Sequence, residues 1–227
     1  LAQRTTFGVP LAMTSLEAIT PKYRGVSHKY AFFASLLLGF FLIDVADSER
    51  EIKAMIICSA SLSGLLLSSS IYHLHNWKNL RMRWWARRID HCMIFVLIAG
   101  TATPFAMLVV GDAAGEQMLW FFWGSAAIGS ILKLVFIRLP DKVHAMGFVL
   151  ISWAAVVQFP ALQGKLTGIS LVLLVLGGVS HTIGAAVYAF RRPDPLPDVF
   201  GYHEVFHLFM LAGAGAHAIV IAGLLGA

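Results

Sequence analysis

The chain has few charged residues and few cysteines, and each shortage excludes a class of protein. Charged side chains make up 13% of the 227 residues, whereas apolar ones make up 58%. A water-soluble globular domain normally has about 25% charged residues, so we expect an integral membrane protein. The two cysteines, Cys58 and Cys92, lie in apolar runs, which argues against a disulfide framework and a thiolate metal cage. A metal site would therefore use His, Asp, Glu and water.

Acidic residues are also scarce, which leaves a formal net charge of +5. Binding of nucleic acid would require the positive charges to lie on one face of a folded domain. Here the lysines and arginines fall in short segments between apolar runs. We therefore expect membrane lipid, and not nucleic acid, as the partner. No motif indicates a protein partner or an oligomeric state.

Seven apolar runs alternate with short polar segments, as expected for helices that cross a membrane repeatedly. We predict an all-α membrane protein whose residues 29–227 form a seven-transmembrane helix bundle, preceded by a cytoplasmic arm at residues 1–28. Residues 75–89 are predicted to be a basic loop, Pro104 to kink the third span, and Asp198 to cap the seventh. The predicted spans are 30–45, 54–73, 90–110, 118–137, 144–162, 166–190 and 203–225.

The distribution of positive charge predicts the orientation of these spans. With seven spans, fourteen of the seventeen lysines and arginines fall on the side of the N-terminus and three on the other side. Cytoplasmic loops carry the excess of lysine and arginine in membrane proteins. We therefore expect a cytoplasmic N-terminus and an external C-terminus.

Two histidines at the start of the seventh span, His203 and His207, are candidates for a metal site. At about 100° per residue, four positions bring the second imidazole over the first, so one ion could bind both. Polar residues at this depth cost free energy and usually have a functional partner.

Chain direction brings further polar groups to the same depth. The second span ends, and the third and seventh begin, on the predicted cytoplasmic side, which places His73 and Asp90 beside the histidine pair. Three neutral imidazoles suit zinc and leave the fourth tetrahedral position for water, as in catalytic sites. Asp90 could be a fourth ligand or a general base. Ser69, one turn before His73, could orient that imidazole or donate to an oxyanion, with helix packing as an equal alternative.

The other histidines are interpreted as structural. His91 points roughly 100° away from Asp90 and is expected at the membrane interface. His75, in the predicted loop, is a weaker ligand candidate. Single polar residues in apolar helices usually pack or lie at the interface, an interpretation that covers His28, His144, His181 and His217.

Three motifs in chain order resemble the signature motifs of the hemolysin III family. They are Ser-Ser-Ile-Tyr-His at 69–73, Asp-His at 90–91 opening a helix that continues Ala-Gly-Thr-Ala-Thr-Pro at 99–104, and His-Glu-Val-Phe-His at 203–207. This family is the bacterial branch of the progestin and adipoQ receptor proteins and is related more distantly to alkaline ceramidases. The resemblance covers essentially the whole chain beyond residue 24. Ala102 departs from it, because relatives often have a larger residue there.

The resemblance implies a specific site and location. It implies zinc held by His73, His203 and His207, with Asp90 bonded to the zinc water and Ser69 nearby. It also implies a seven-helix bundle with a cytoplasmic N-terminus, in the bacterial cytoplasmic membrane. The departure at Ala102 affects the shape of the pocket and leaves the metal site untouched.

The leading functional hypothesis is a zinc-dependent hydrolase of a lipid amide or ester that enters from the bilayer. A second is a non-catalytic sensor or regulator of membrane state with structural zinc, which an ion pair between Asp90 and Arg87 or Arg88 would favour. A third is an intramembrane metalloprotease, because residues 203–207 fit the His-Glu-x-x-His pattern with Glu204 as base. A haemolytic pore is disfavoured, since seven apolar helices offer no soluble form that could insert.

Overall fold

A computed structural model describes residues 21–135, 141–155, 160, 162 and 164–225. The first twenty residues of the predicted arm lie outside this range, as do parts of the predicted fourth and fifth spans. The described residues form seven α-helices and one π-helical segment, which confirms the all-α prediction. They are α1 (Val26–Asp44), α2 (Glu49–Leu74), α3 (Leu80–Pro104), the π-helical segment (Phe105–Val110), α4 (Asp112–Val135), α5 (Asp141–Trp153), α6 (Gly168–Phe190) and α7 (Tyr202–Ala222).

Six of these helices are long and apolar enough to cross a membrane, namely α1, α2, α3 with its π-helical segment, α4, α6 and α7. Large apolar side chains cover their outer surfaces; Leu37 is 73% and Trp120 80% exposed. Such a surface is stable in lipid and would be unfavourable in water. The protein is therefore an integral membrane protein. The seventh span and the orientation of the termini remain predictions.

Helix α3 begins at Leu80, whereas residues 75–89 were predicted to form a loop and the span to begin at Asp90. The Asn79 side chain caps the helix, because its Oδ1 accepts hydrogen bonds from the backbone N–H groups of Arg81 (2.9 Å) and Met82 (3.3 Å). The span was predicted from hydropathy, which measures the free energy of transfer into lipid and not the tendency to form a helix. A basic helical turn that is stabilised by an N-cap residue is therefore not recognised as helix.

The predicted disruption at Pro104 takes the form of a change of helix type. Proline has no backbone N–H, so the regular hydrogen-bond ladder cannot continue through it. The chain passes from α3 into the π-helical segment at this residue. The segment ends with a bond from the Gly111 N–H to the Ala106 carbonyl oxygen at 2.9 Å.

Small and hydroxylated residues bring α1, α2 and α3 close together. The hydroxyls of Ser35 and Ser63 are 2.8 Å apart. A Cβ atom at Gly100 of α3 would lie 2.2 Å from Ser61 Oγ of α2. Close backbone approach of this kind is how membrane helices associate without a hydrophobic driving force. It fixes α2 against α3 and so fixes the side chains at their ends.

We expect Gly100→Ala to lower the melting temperature in detergent by about 5 °C. Overpacking costs roughly 1–3 kcal/mol, and each kcal/mol shifts the melting temperature of a chain of this size by about 2–4 °C. Gly124→Ala is the matched control, because no atom lies within 4 Å of the added Cβ. Equal melting temperatures for the two variants would contradict the close α2–α3 contact.

Candidate metal centre

Three histidine side chains from two helices converge at one end of the bundle. His73 lies in the last turn of α2, and His203 and His207 lie in the first two turns of α7. One ring nitrogen of each lies within 4.8 Å of the other two. The Nε2 atoms of His73 and His203 are 3.1 Å apart. His203 and His207 are buried, and His73 is half-buried.

These three imidazoles fit a metal ion. Tetrahedral zinc sites have Zn–N bonds of about 2.0–2.1 Å, which separates two ligand nitrogens by about 3.3 Å. The distance between His73 and His203 is close to this value. Nδ1 of His207 is buried and has no hydrogen-bond partner among the described residues. A buried polar atom without a partner is costly, and a metal ion bound through this nitrogen would relieve that cost.

Asp90 lies on the wall of the cavity that His203 and His207 also line, a cavity of about 200 Å³. The carboxylate is buried, and its Oδ2 is 3.5 Å from Nδ1 of His91. Arg88 does not pair with it; its guanidinium lies over the Trp84 ring, 3.5 Å from the centroid. Of the two arginines whose ion pair with Asp90 would favour a purely structural site, Arg88 does not form it.

His91 is buried, whereas it was predicted to lie at the membrane interface. Its Nδ1–H donates to the Arg87 carbonyl oxygen at 2.8 Å, and its Nε2 accepts from the Tyr188 hydroxyl at 3.2 Å. The offset of about 100° from Asp90 thus points the ring towards α6 and not towards the membrane surface. Both ring nitrogens therefore have hydrogen-bond partners, and neither is left for a metal ion.

His28 belongs to the site, although it was interpreted as a packing residue. Its ring stacks on that of His207, with centroids 3.7 Å apart and planes 9° from parallel. Its Nδ1 is 2.8 Å from the hydroxyl oxygen of Ser69. Ser69 therefore contacts His28 and not the His73 imidazole. The sequence could have indicated this role for His28. Successive spans run in opposite directions, so the start of α1 lies at the same end of the bundle as the start of α3, which contains Asp90.

The first turn of α7 is held by two carboxylates. Oδ1 of Asp194 accepts from the Tyr202 N–H at 2.8 Å, and Oε2 of Glu204 accepts from the Gly201 N–H at 2.7 Å. Asp198, the predicted cap, instead offers its carbonyl oxygen to the Lys22 N–H at 3.1 Å. Proline-rich loops can fold back, so the capping residue need not be the one nearest in sequence.

Both carboxylate oxygens of Glu204 are engaged in structural contacts. It is only 2% exposed, its Oε1 pairs with Nε of Arg24, and its Oε2 caps Gly201. A general base needs a free carboxylate facing the substrate. The His-Glu-x-x-His interpretation, with Glu204 as base, is therefore disfavoured by these contacts.

The segment before α1 packs directly on the site. Gly25 has a φ of 78°, in the left-handed region. A Cβ atom there would lie 2.6 Å from Cβ of His73. Both the backbone conformation and the space require glycine at this position. Together with the Arg24–Glu204 pair, this contact places the chain before α1 over the three histidines.

The helices and the cluster define a class of protein, a polytopic membrane protein with a buried group of three histidines at one end of its bundle. A family model described as "Haemolysin-III related" matches residues 16–218. The chain therefore belongs to the hemolysin III family, which confirms the resemblance of its three motifs.

Curated relatives agree with this assignment. "Hemolysin-3" of Bacillus cereus is 30% identical, over 83% of this chain and 84% of that protein. "Hemolysin-3 homolog" of Bacillus subtilis is 27% identical, over 84% and 87%. The adiponectin receptor protein of Drosophila melanogaster is 24% identical, over 84% of this chain and 47% of its own length. The similarity thus extends from bacterial proteins to an animal receptor.

We expect the protein, purified without chelator, to contain about one metal ion per chain, and His73→Ala and His203→Ala to lose it. Removing one of three ligands leaves a donor set that is too small for tight binding. His75→Ala is the matched control, since this residue follows the end of α2 and is not one of the clustered histidines. Elemental analysis measures all four proteins. Full metal content in His73→Ala or His203→Ala would contradict the assigned ligands.

Proposed function

We propose that this protein is a zinc-dependent hydrolase that cleaves an amide or ester bond of a membrane lipid. The observation that carries the proposal is an open set of three histidines, two of which, His203 and His207, line the same largely apolar cavity as Asp90. Three imidazoles leave one coordination position open, as in catalytic zinc sites and unlike closed structural ones.

Each residue of the site has a chemical role in this proposal. Zinc held by His73, His203 and His207 would act as a Lewis acid and lower the pKa of a bound water towards 7. Asp90 accepts the proton that leaves the attacking water and later returns it to the leaving group. The His91 ring lies next to the Asp90 carboxylate, with Nδ1 3.5 Å from Oδ2.

Ser69 supplies a hydrogen-bond donor. Nε2 of His28 is buried without a partner among the described residues, and a buried N–H without an acceptor costs more than an unprotonated nitrogen. The favoured tautomer of His28 therefore carries its proton on Nδ1 and donates to Ser69 Oγ. The Ser69 hydroxyl hydrogen then remains available for the carbonyl oxygen of a substrate, where negative charge develops.

The cavity fits a lipid chain. Beyond the polar end its wall is mainly apolar, and it runs between the helices at the depth of the hydrocarbon core. Apolar side chains that line it include Leu97, Ile98, Phe105, Phe122 and Phe148. A lipid placed with its amide or ester at the histidines would bury its chain here. In this proposal the site faces the cytoplasm, in the cytoplasmic membrane of a bacterium, in a bundle of seven spans.

A structural role for the metal is the second candidate. His73 and His203 are 130 residues apart in the sequence, and their 3.1 Å contact joins α2 to α7. A metal at this point would tie the two helices together without any turnover. In that case Asp90 would have no chemical function, so substitutions at Asp90 separate the two candidates.

We expect Asp90→Asn to lower hydrolysis at least 100-fold and to keep the metal, because a general base contributes about 10²–10⁴ in rate. Glu204→Gln should melt at a lower temperature, since it leaves Arg24 without its partner, but should keep its activity per folded molecule. Release of fatty acid from a ceramide and from a long-chain acyl ester is the measurement, with metal content determined in parallel. Loss of activity in Glu204→Gln alone would favour the metalloprotease. No hydrolysis by the metal-loaded wild type would leave the structural role.

We expect Ser69→Ala to lower kcat about 100-fold, with KM and metal content unchanged, because the lost donor acts mainly in the transition state. Ser68→Ala is the matched control; its hydroxyl donates to the Leu65 carbonyl oxygen at 2.9 Å, within its own helix. Steady-state kinetics on the same substrates measures both. An equal effect of the two substitutions would mean that Ser69 serves helix packing only.

A further inference from the structure

A second pair of histidines lies deep in the membrane-spanning part of the same cavity. His181 of α6 and His217 of α7 line it together with His203 and His207. The rings of the deep pair have centroids 5.4 Å apart. At a rise of about 1.5 Å per residue, His217 lies about 15 Å along α7 from His207. This is half of a hydrocarbon core of about 30 Å, which corresponds to the thickness of one lipid leaflet.

The two helices are built around these rings. A Cβ atom at Gly177, one turn before His181, would lie 2.4 Å from Nε2 of His217. A Cβ atom at Gly213, one turn before His217, would lie 2.6 Å from Cε1 of His181. Each histidine therefore occupies the space left by a glycine of the opposite helix. Both helices carry the same pattern, Gly-x-x-x-His. Because each ring fills the space beside a glycine of the other helix, the packing of α6 against α7 fixes the positions of both rings.

One ring nitrogen of this pair, Nδ1 of His217, is left as a hydrogen-bond acceptor without a donor among the described residues. Nε2–H of His217 donates to the Leu174 carbonyl oxygen at 3.1 Å. A neutral imidazole with its proton on Nε2 has an unprotonated Nδ1, which can only accept. Among the described residues His217 has no second hydrogen-bond partner. The ring of His181 fills the space beside Gly213 and lies against the ring of His217. Of the two histidines, His217 is the one whose hydrogen bond identifies the accepting nitrogen.

An acceptor at this depth is expensive unless something donates to it. We infer that the cavity binds an acyl lipid that carries a hydroxyl group far down its chain, and that this hydroxyl donates to Nδ1 of His217. The inference rests on the proposed function in one respect, the position of the acyl carbonyl at the metal centre. A separation of about 15 Å places the hydroxyl near the twelfth carbon of an extended chain.

Water is the competing partner for this nitrogen. His217 also borders a smaller cavity of about 20 Å³, which is large enough for one water molecule. A water there would satisfy Nδ1 for any chain. Lipids with and without a hydroxyl would then bind equally well, so the two possibilities predict different results.

The test compares the binding of three free fatty acids to the full-length protein: stearate, 3-hydroxystearate and 12-hydroxystearate. We expect 12-hydroxystearate to bind about three- to tenfold more tightly than the other two, the range that one hydrogen bond provides. His217→Phe should abolish this preference and leave the affinity for stearate unchanged within about twofold, because its ring fills the space beside Gly177. Calorimetry in lipid nanodiscs measures the affinities. Equal affinities in the wild type, or a preference that survives in His217→Phe, would overturn the inference.

A second probe needs no variant. The methyl ether 12-methoxystearate keeps the oxygen but has no hydrogen to donate, so it should bind the wild type no more tightly than stearate. Binding as tight as that of 12-hydroxystearate would overturn the role of Nδ1 as acceptor. Because the fatty acids are bound and not cleaved, a 12-hydroxyl preference without lipid hydrolysis would reject the hydrolase alone. Hydrolysis without that preference would reject the deep site alone.

Discussion

Imidazole nitrogens buried in an apolar environment need hydrogen-bond partners, and the arrangement of this end of the bundle depends on that requirement. His91 meets it through Arg87 and Tyr188, and His28 meets it in part through Ser69. Within the described residues, Nδ1 of His207 and Nε2 of His28 are buried without a hydrogen-bond partner. Their rings stack on each other at the end of the bundle where His73 and His203 also lie. These unpaired ring nitrogens therefore lie at the candidate metal centre.

The ion pair between Arg24 and Glu204 connects this chemistry to the fold. It joins the chain before α1 to the first turn of α7, and both residues are shielded from solvent. A buried pair adds little stability compared with apolar packing, but it is costly to break because one charge remains unpaired. Gly25 brings the same segment against His73. The segment before α1 therefore contacts both helices that carry the metal-binding candidates, α2 through His73 and α7 through Glu204.

The order of the spans predicts that His73 lies near His203 and His207, and the structure shows this cluster. The same order brings the start of α1, which contains His28, to that end of the bundle. The helical extension of α3 was missed because hydropathy measures transfer into lipid, whereas Asn79 acts through a local cap. Asp194 caps α7 across a turn of the proline-rich loop, and that turn is set by pairing with residues 22 and 23. The partnership of His181 with His217 depends on how α6 and α7 align, and no periodicity within a single helix contains that information.

The exchange of histidines and glycines between α6 and α7 also sets the alignment of these two helices along their axes. A slip of one turn, about 5.4 Å, would drive both rings into side chains larger than hydrogen and leave two empty spaces behind. Helix α7 therefore has one permitted height relative to α6. Since His203 and His207 stand on the same rigid helix, the level at which they meet His73 is fixed from deep inside the bilayer. A larger residue at Gly177 or Gly213 would thus shift α7 along its axis. The shift would move His203 and His207 relative to His73, although the substituted residue contacts none of these three histidines.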